Sequence, residues 1–401
     1  MAQAERGPLL APGGWVSIGM IYLYGVFSTA SLSKIIPILG DVGAHLGAPP
    51  ARFGLLISLM TVLPALLASV AGSVIDRLGA QRALQLVAVI GVAVNGAYLA
   101  TDSLSAFMAI RVLEGLIAVG AYAAAPALIM ATTPAARRGR AMAVWSTYTP
   151  MGVSLGLLMS GSFAGTDTWR GGYWVHLVLF ALLAASSPLL PRAPRAHAGT
   201  ARHAGLFAAW GQRGPLRLSL TFATLIVMGF GVTTIYPQWF ARAHAVPVGH
   251  ASNILSLCTL LMIPSGFAAG ALLARGRRDT VLLTTLLFAA VIISVPLFVP
   301  GLAEAGRVVT LLGWMVTQGA LIAVVVAALP RVVENPLQGA AAAGLLSQLA
   351  ALMTFVTPLI WQPLLQAGNW RGFLAVIAAG AVVARLLFPG GVARLRGPGS
   401  G

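Results

Sequence analysis

The chain alternates long apolar blocks with short polar connections. A helix needs roughly 20 mainly apolar residues to cross a bilayer, and twelve blocks of about that length occur along the sequence. The predicted spans are Trp15–Pro37, Phe53–Ile75, Ala83–Ala100, Ser105–Ala131, Ala141–Phe163, Tyr173–Leu190, Leu216–Phe240, Ser252–Ala274, Thr280–Val299, Arg307–Pro330, Gly339–Leu365 and Phe373–Phe388. This pattern predicts an all-α integral membrane protein with twelve transmembrane helices.

The composition agrees with a chain surrounded by lipid. Of the 401 residues, 58% are hydrophobic and 8% are charged, and the mean hydropathy is +0.89. Soluble domains carry about 25% charged residues, so the lipid bilayer is the expected surrounding of this chain. The formal net charge of +16 would suit a nucleic-acid partner, but the arginines lie between apolar blocks and not on one polar face. We therefore expect no nucleic-acid binding.

Arginine placement predicts the orientation of the spans, because cytoplasmic loops are enriched in arginine and lysine. If the N-terminus is cytoplasmic, most arginines outside the spans lie on the cytoplasmic side. The opposite side carries Arg52, Arg170, Arg242, Arg307 and Arg371. We therefore expect both termini in the cytoplasm, and we call the opposite end of each span its outer end. The expected location is a plasma membrane, namely a bacterial inner membrane.

Similar segments recur along the chain at an offset of about half its length. The segment TWRGGYWVHLVLFALLAA from Thr168 is similar to NWRGFLAVIAAGAVVA from Asn369. Two parallel halves joined by a loop are a repeat architecture of secondary transporters. We therefore expect two pseudo-symmetric six-helix bundles over residues 1–190 and 216–401, joined by a basic cytoplasmic linker over residues 191–215.

Three short motifs carry a family resemblance. The connection between the second and third spans follows the pattern G-x-x-x-D-R-x-G-x-x-R. The matching residues are Gly72, Asp76, Arg77, Gly79 and Arg82. Ile110–Gly120 contains R-x-x-x-G in the fourth span, and Tyr148–Gly156 is rich in glycine and proline in the fifth, although Thr149 stands where that motif has glycine. In these motifs the chain resembles the major facilitator superfamily, over its whole length.

The resemblance implies a cytoplasmic latch. By resemblance, Asp76, Arg77 and Arg82 close the cytoplasmic mouth in the outward-open state, while Gly72 and Gly79 permit close packing and a tight turn. An ion pair that forms in one state and breaks in the other is what a gate requires. The alternative is an ordinary basic loop with one satisfied aspartate.

The resemblance also implies alternating access around a central cavity. By family likeness, the first, second, fourth and fifth spans line this cavity together with their counterparts in the second half. The candidate substrate-cavity residues on these spans are Tyr24, Thr29, Tyr148, Gln318 and Gln348. Pro150, Pro264 and Pro358 are expected to interrupt helical hydrogen bonding and to permit bending.

Arg111 and Glu114 form the clearest charged pair within a predicted span. They are three residues apart and therefore share one helix face, and ionisable residues at this depth usually mark a functional pathway. We expect them to act in proton coupling or substrate binding, with Glu114 as the first candidate proton carrier. The alternative is a structural pair that does not titrate during transport.

Lys34 is the only lysine in the chain, and it lies one turn before Pro37 near the outer end of the first span. At that depth a lysine side chain can extend to the lipid headgroups or to the aqueous mouth. The alternative is a charge at the outer entrance that pairs with Asp41.

These features favour a transporter that moves a small solute by alternating access. Few acids lie near the cavity candidates, which favours a small organic anion or polar metabolite as the substrate. The first span has no acid and the fifth-span motif lacks its glycine at Thr149, which favours proton-coupled uptake or exchange over efflux. Efflux of drugs or metabolites by proton antiport is the alternative, and a membrane-embedded enzyme is a remote one because no catalytic constellation appears. We expect no enzyme activity, no cofactor and no metal, and a monomeric protein.

Overall fold

The computed structural model describes residues 11–192, 208–333 and 339–389. Within these ranges the chain is helical and contains no strand. The helices are α1 Trp15–Ser33, α2 Leu39–Leu46, α3 Phe53–Ser58, α4 Val62–Leu78, α5 Ala80–Leu99, α6 Leu104–Thr132, α7 Ala135–Trp145, α8 Tyr148–Gly161, α9 Gly171–Ser186, α10 Arg213–His244, α11 Val248–Thr259, α12 Met262–Ala274, α13 Asp279–Phe298, α14 Glu304–Ala327, α15 Gly339–Gln366 and α16 Trp370–Leu387. Most of the predicted linker, residues 191–215, lies outside the described residues.

Eleven helical stretches in the described ranges are long and apolar enough to cross a bilayer. They correspond to the predicted spans except at the fifth, Ala141–Phe163. There the chain forms two shorter helices, α7 and α8, which are separated at Ser146 and Thr147. The all-helical membrane fold is therefore confirmed, and the difference in number arises from one interrupted helix.

Prolines explain where the spans break. Proline lacks the N–H that would bond the carbonyl four residues earlier, and its ring clashes with that carbonyl. Four helix ends or breaks lie at this spacing. The prolines and the residues four positions earlier are Pro37 with Ser33, Pro64 with Met60, Pro150 with Ser146, and Pro264 with Leu260. At Pro358 the helix α15 does not end, and the bending expected there stays a prediction.

The helices pack in two groups along the chain. In the first half α1 packs against α6 and α8, and α5 lies against α6 and α9. In the second half α10 packs against α15 and α16, while α14 contacts α12 and α13. The two groups meet where α8 contacts α11 and where α3 and α4 contact α15.

The two groups of helices approach most closely at their outer ends. A Cβ atom added to Gly54 would lie 2.6 Å from the Pro358 carbonyl oxygen, so the backbones there are in contact. Side-chain hydrogen bonds continue this contact between the two groups of helices toward the membrane centre. The pairs joined by hydrogen bonds are Gln238 with Ile36, Ser154 with Ser256, Ser58 with Phe355, and Gln348 with Ala65. The outer end of the molecule is therefore closed, and we call these contacts the outer seal.

Candidate functional site

A buried group of charges lies in the first half of the molecule. The side chains of Lys34, Arg111 and Glu114 are 0% exposed. Lys34 Nζ lies 2.7 Å from Glu114 Oε1, and Arg111 Nη1 lies 2.6 Å from Glu114 Oε2. One carboxylate thus pairs with two cations, one on each oxygen. We call these three residues the charge cluster.

Residues of α5 and α9 surround the charge cluster. Lys34 Nζ donates to Asn95 Oδ1 at 2.6 Å, and it lies 5.2 Å and 4.7 Å from the ring centroids of Tyr98 and Tyr173. The Tyr98 hydroxyl also donates to Glu114 Oε2 at 2.8 Å. Because aromatic faces attract cations, the ammonium group of Lys34 is held by a carboxylate, an amide oxygen and two rings.

The Arg111 guanidinium also satisfies backbone carbonyls at two helix ends. Its Nε and Nη2 donate to the carbonyls of Leu56 and Ile57 at 3.0 Å and 3.2 Å. These two residues lie in α3, just before the break in the second span, where the last carbonyls of a helix lack intrahelical donors. Arg111 Nη1 donates in the same way to the carbonyl of Ser31 in the last turn of α1, at 3.2 Å. Arg111 therefore holds both broken helices against α6.

The expectation for Lys34 and Asp41 is wrong. Lys34 is buried and contacts neither the headgroup region nor Asp41. The reason is that α1 ends at Ser33 ahead of Pro37, so the chain turns and directs Lys34 into the bundle. Asp41 instead accepts a hydrogen bond from the Gly165 backbone N–H at 2.9 Å. Partial burial raises the pKa of the Asp41 carboxyl, and this bond offsets part of that rise.

Two of the predicted cavity residues belong to one aromatic group. The Thr29 hydroxyl lies 2.9 Å from the Tyr122 hydroxyl, and the rings of Tyr122 and Tyr148 are 5.1 Å apart. Tyr148 also stacks on Trp145, with 4.5 Å between ring centroids. Tyr122 and Tyr148 are partly exposed, so this group presents a surface between α1, α6 and α8.

The other three predicted cavity residues lie apart from this group. Tyr24 is buried, and its hydroxyl donates to the carbonyl of Leu183 in α9 at 3.4 Å, so it faces the interior of the first half. Gln348 Nε2 donates across the outer seal to the Ala65 carbonyl at 3.2 Å. Gln318 is buried in α14, and both of its amide atoms lack a partner among the described residues. Gln318 therefore offers unused hydrogen-bonding capacity.

The predicted latch residues lie where α4 ends and α5 begins, at the end of the molecule opposite the outer seal. Asp76, Arg77 and Arg82 are exposed, and within the described ranges none of them forms an ion pair. Gly79 has a φ of 88° at the turn between α4 and α5, a conformation that favours glycine. Gly72 is exposed, and a Cβ atom there would meet open space.

Sequence reasoning missed the partners of the charge cluster that lie in the third and sixth spans. Asn95 and Tyr98 are three residues apart in α5, and Tyr173 and His176 are three residues apart in α9. This is the spacing that identified Arg111 and Glu114 in α6. Polar pairs at this spacing in otherwise apolar spans were therefore the signal that could have found them.

Comparison with known proteins identifies the family. The sequence model of the Major Facilitator Superfamily matches residues 21–358. The chain belongs to the major facilitator superfamily. The family resemblance of the three motifs is thereby confirmed, and this major facilitator protein is a multi-pass membrane transporter.

Solved structures of transporters share the fold of this major facilitator protein. A bacterial homologue of the human lysosomal transporter Spinster, inward-facing and unoccupied, has a TM-score of 0.77 and 15% sequence identity, over 93% of this chain and 95% of that chain. A variant of the nucleoside transporter NupG has a TM-score of 0.72 and 14% identity, over 93% and 98% of the two chains. At such identities the likeness concerns the fold alone. No curated protein matches the chain significantly.

Proposed function

We propose that this major facilitator protein carries a small organic anion or polar metabolite by alternating access, coupled to proton movement. In this proposal the bundles formed by residues 1–190 and 216–401 rock about the substrate, and both termini lie in the cytoplasm of a bacterial cell. The protein acts as a monomer in the inner membrane. The observation that carries the proposal is the charge cluster, because buried ionisable groups within a membrane bundle usually mark a transport pathway.

The balance of buried charge supports an anionic or neutral substrate. Among the described residues, Glu114 is the only buried acid, whereas Lys34, Arg111 and Arg307 are buried cations. A lipophilic cation would therefore meet an excess of like charge in the interior, which is unfavourable at low dielectric. The aromatic group around Tyr148 and the free amide of Gln318 add hydrogen-bonding and stacking groups suited to a polar metabolite.

The proposed cycle is supported by the contrast between the two ends of the molecule. The outer seal is formed by direct backbone and side-chain contacts between the halves. The cytoplasmic latch residues, by contrast, are exposed. A transporter that is closed outside and unlatched inside corresponds to the inward-facing half of an alternating-access cycle.

The substrate class can be tested by binding and transport. Thermal stability would be screened against carboxylates, sugars, amino acids and cationic dyes, because a ligand of the native state raises the melting temperature. We expect carboxylates or polar metabolites to stabilise the protein, and an imposed pH gradient to drive their uptake into proteoliposomes. Stabilisation by cationic dyes alone, with proton-driven dye export, would support the antiport alternative instead.

The latch can be tested with Asp76→Asn. The proposal requires that Asp76 pairs with an arginine across the cytoplasmic mouth only when this mouth closes. The variant should therefore turn over more slowly and reside longer in the inward-open state, measured by cysteine crosslinking across the cytoplasmic mouth. Asp167→Asn, at an exposed acid in an outer loop, is the matched control. Crosslinking equal to wild type in Asp76→Asn would contradict the latch.

A further inference from the structure

The charge cluster contains one more positive charge than its acid balances. Charged Lys34 and Arg111 with ionised Glu114 give a net charge of 2 − 1 = +1. All three side chains are 0% exposed, and unbalanced charge in an apolar interior is unfavourable. Any proton exchange at this site is therefore governed by how it changes this net charge.

The three groups differ in how they can exchange a proton. Arginine remains protonated in proteins, so Arg111 is a fixed cation. Protonation of Glu114 would raise the net charge of the cluster from +1 to +2. It would also add an O–H donor where the carboxylate already accepts hydrogen bonds from other donors, so the new O–H would compete with them. Loss of the Lys34 proton would lower the net charge from +1 to 0, and the neutral amine would keep N–H groups for Glu114 and Asn95.

Resting on the proposed proton coupling, we infer that Lys34, and not Glu114, carries the transported proton. Glu114 stays ionised in this scheme and acts as the positioning partner that holds Lys34. Arg111 supplies the fixed positive charge that makes a neutral Lys34 acceptable beside an ionised Glu114.

The other titratable groups that face Lys34 are poorly suited to this role. Tyr98 needs its proton to donate to Glu114, and Tyr173 presents its ring face. His176 Nε2 lies 3.0 Å from Ser31 Oγ and 3.2 Å from the Phe27 carbonyl oxygen, whereas its Nδ1 has no partner in the described part of the chain. A charged imidazole needs acceptors for two N–H groups, so the neutral ring fits this site.

The position of Lys34 links its charge to the outer seal. Lys34 begins the turn that follows α1, and two residues later the Ile36 carbonyl accepts a hydrogen bond from Gln238 Nε2 at 2.5 Å. The ion pair with Glu114 holds this turn from inside the first half, while Gln238 holds it from the second. When Lys34 releases its proton to water that enters from the open cytoplasmic mouth, the ion pair weakens, the turn is released, and the outer seal opens so that Lys34 takes up a proton from outside.

The deciding measurement is the ratio of protons to substrate moved in proteoliposomes. Lys34→Arg replaces an exchangeable cation with a permanent one, and Lys34→Met replaces it with a neutral side chain. In both variants we expect the ratio to fall at least roughly ten-fold, because neither side chain exchanges a proton at neutral pH. Arg170→Lys, at an exposed outer ion pair with Asp102, is the matched control and should keep the wild-type ratio.

The outcomes separate the two proposals. If Lys34→Arg keeps the wild-type ratio, Glu114 or another group carries the proton and the inference is overturned, while proton-coupled transport stands. If the wild-type protein itself moves substrate without protons, the proposed coupling fails and the inference fails with it.

A measurement on the wild-type protein covers the case in which the variants do not fold. Because Lys34 is the only lysine, protein labelled with 15N at lysine Nζ gives one side-chain signal in nuclear magnetic resonance. We expect this signal to change from the ammonium to the amine form across the pH range in which a proton gradient drives transport. A signal that stays in the ammonium form, while the labelled Glu114 carboxyl changes, would overturn the inference.

Discussion

Each half of the molecule buries one arginine near the outer end of a span, and the two arginines are used differently. Arg111 in α6 donates to the carbonyls of Leu56, Ile57 and Ser31, and it pairs with Glu114. In the second half, Arg307 of α14 is 1% exposed and makes no ion pair within the described residues.

The guanidinium of Arg307 is surrounded by neutral groups. It donates to the carbonyls of Leu297 and Val299 at 2.8 Å and 3.2 Å, and its Nε donates to His244 Nε2 at 2.9 Å. Its face stacks over Trp239, 4.3 Å from the ring centroid. Both arginines therefore join helix ends through backbone carbonyls, as the planar fork of five donors allows.

The difference between them is the added acid and lysine. The first half places an acid and a lysine beside its arginine, whereas the arginine of the second half contacts neutral groups and joins helix ends. The comparison teaches that a buried arginine within a span does not require a buried acid as its partner.

The strongest test of the comparison removes the arginine of the charge cluster. Arg111→Met would leave three buried carbonyls without a donor and Glu114 with one cation fewer. We expect the free energy of unfolding, measured by SDS titration in mixed micelles, to fall by about 3–5 kcal/mol. A smaller loss than in Arg307→Met would contradict the expectation that the arginine of the charge cluster contributes more to stability.

The equivalent change in the second half should cost less. Arg307→Met removes hydrogen bonds to carbonyls and the contact with Trp239, but it leaves no buried acid unpaired. We expect a loss of about 2 kcal/mol in the same titration, with the proton-to-substrate ratio unchanged. If this variant transports substrate without protons, the second half takes part in coupling and the distinction fails.

A smaller loss of stability is expected when Glu114 loses the hydroxyl donor of Tyr98, which has no counterpart beside Arg307. Tyr98→Phe removes the hydroxyl that donates to Glu114 while it keeps the ring over Lys34. Since hydrogen bonds to charged groups are worth about 1.5–3 kcal/mol, we expect a loss near the lower value, measured by the same unfolding assay. Tyr173→Phe is the matched control, because the Tyr173 hydroxyl has no partner among the described residues.

The smallest effect is expected at the neutral partner of Arg307. His244→Gln replaces the imidazole acceptor with an amide oxygen that can accept from the same Nε. We expect a loss of only about 0.5 kcal/mol, because the amide oxygen keeps an acceptor for the guanidinium, measured as a shift in melting temperature. A loss as large as that of Arg307→Met would mean that His244 is the main support of this arginine.

The sequence was sufficient to predict the membrane fold, because span length and the lack of charge are set by the bilayer itself. It also predicted the Arg111 and Glu114 pair, since the spacing of three residues within one helix is local. The interruption of the fifth span was only partly foreseen: Pro150 was recognised as a break, but its effect on helix length was not.

The charge cluster as a whole could not be read from the sequence. Lys34 was placed near the lipid headgroups because a continuous first helix would direct it there. Its burial depends on the turn after Ser33 and on packing against α5, α6 and α9, and these contacts join residues distant in the chain. Arg307 was likewise assigned to an outer span end, although the structure buries it against His244.

The outer seal has a consequence for the environment in which the protein works. Its contacts between Gly54 and Pro358 and between Gln238 and Ile36 involve uncharged groups, and Gly161 with Gly249 adds a further uncharged contact between the halves. Dissolved ions screen charged contacts strongly and uncharged ones little. The barrier formed by the outer seal should therefore hold equally well in dilute and in saline media.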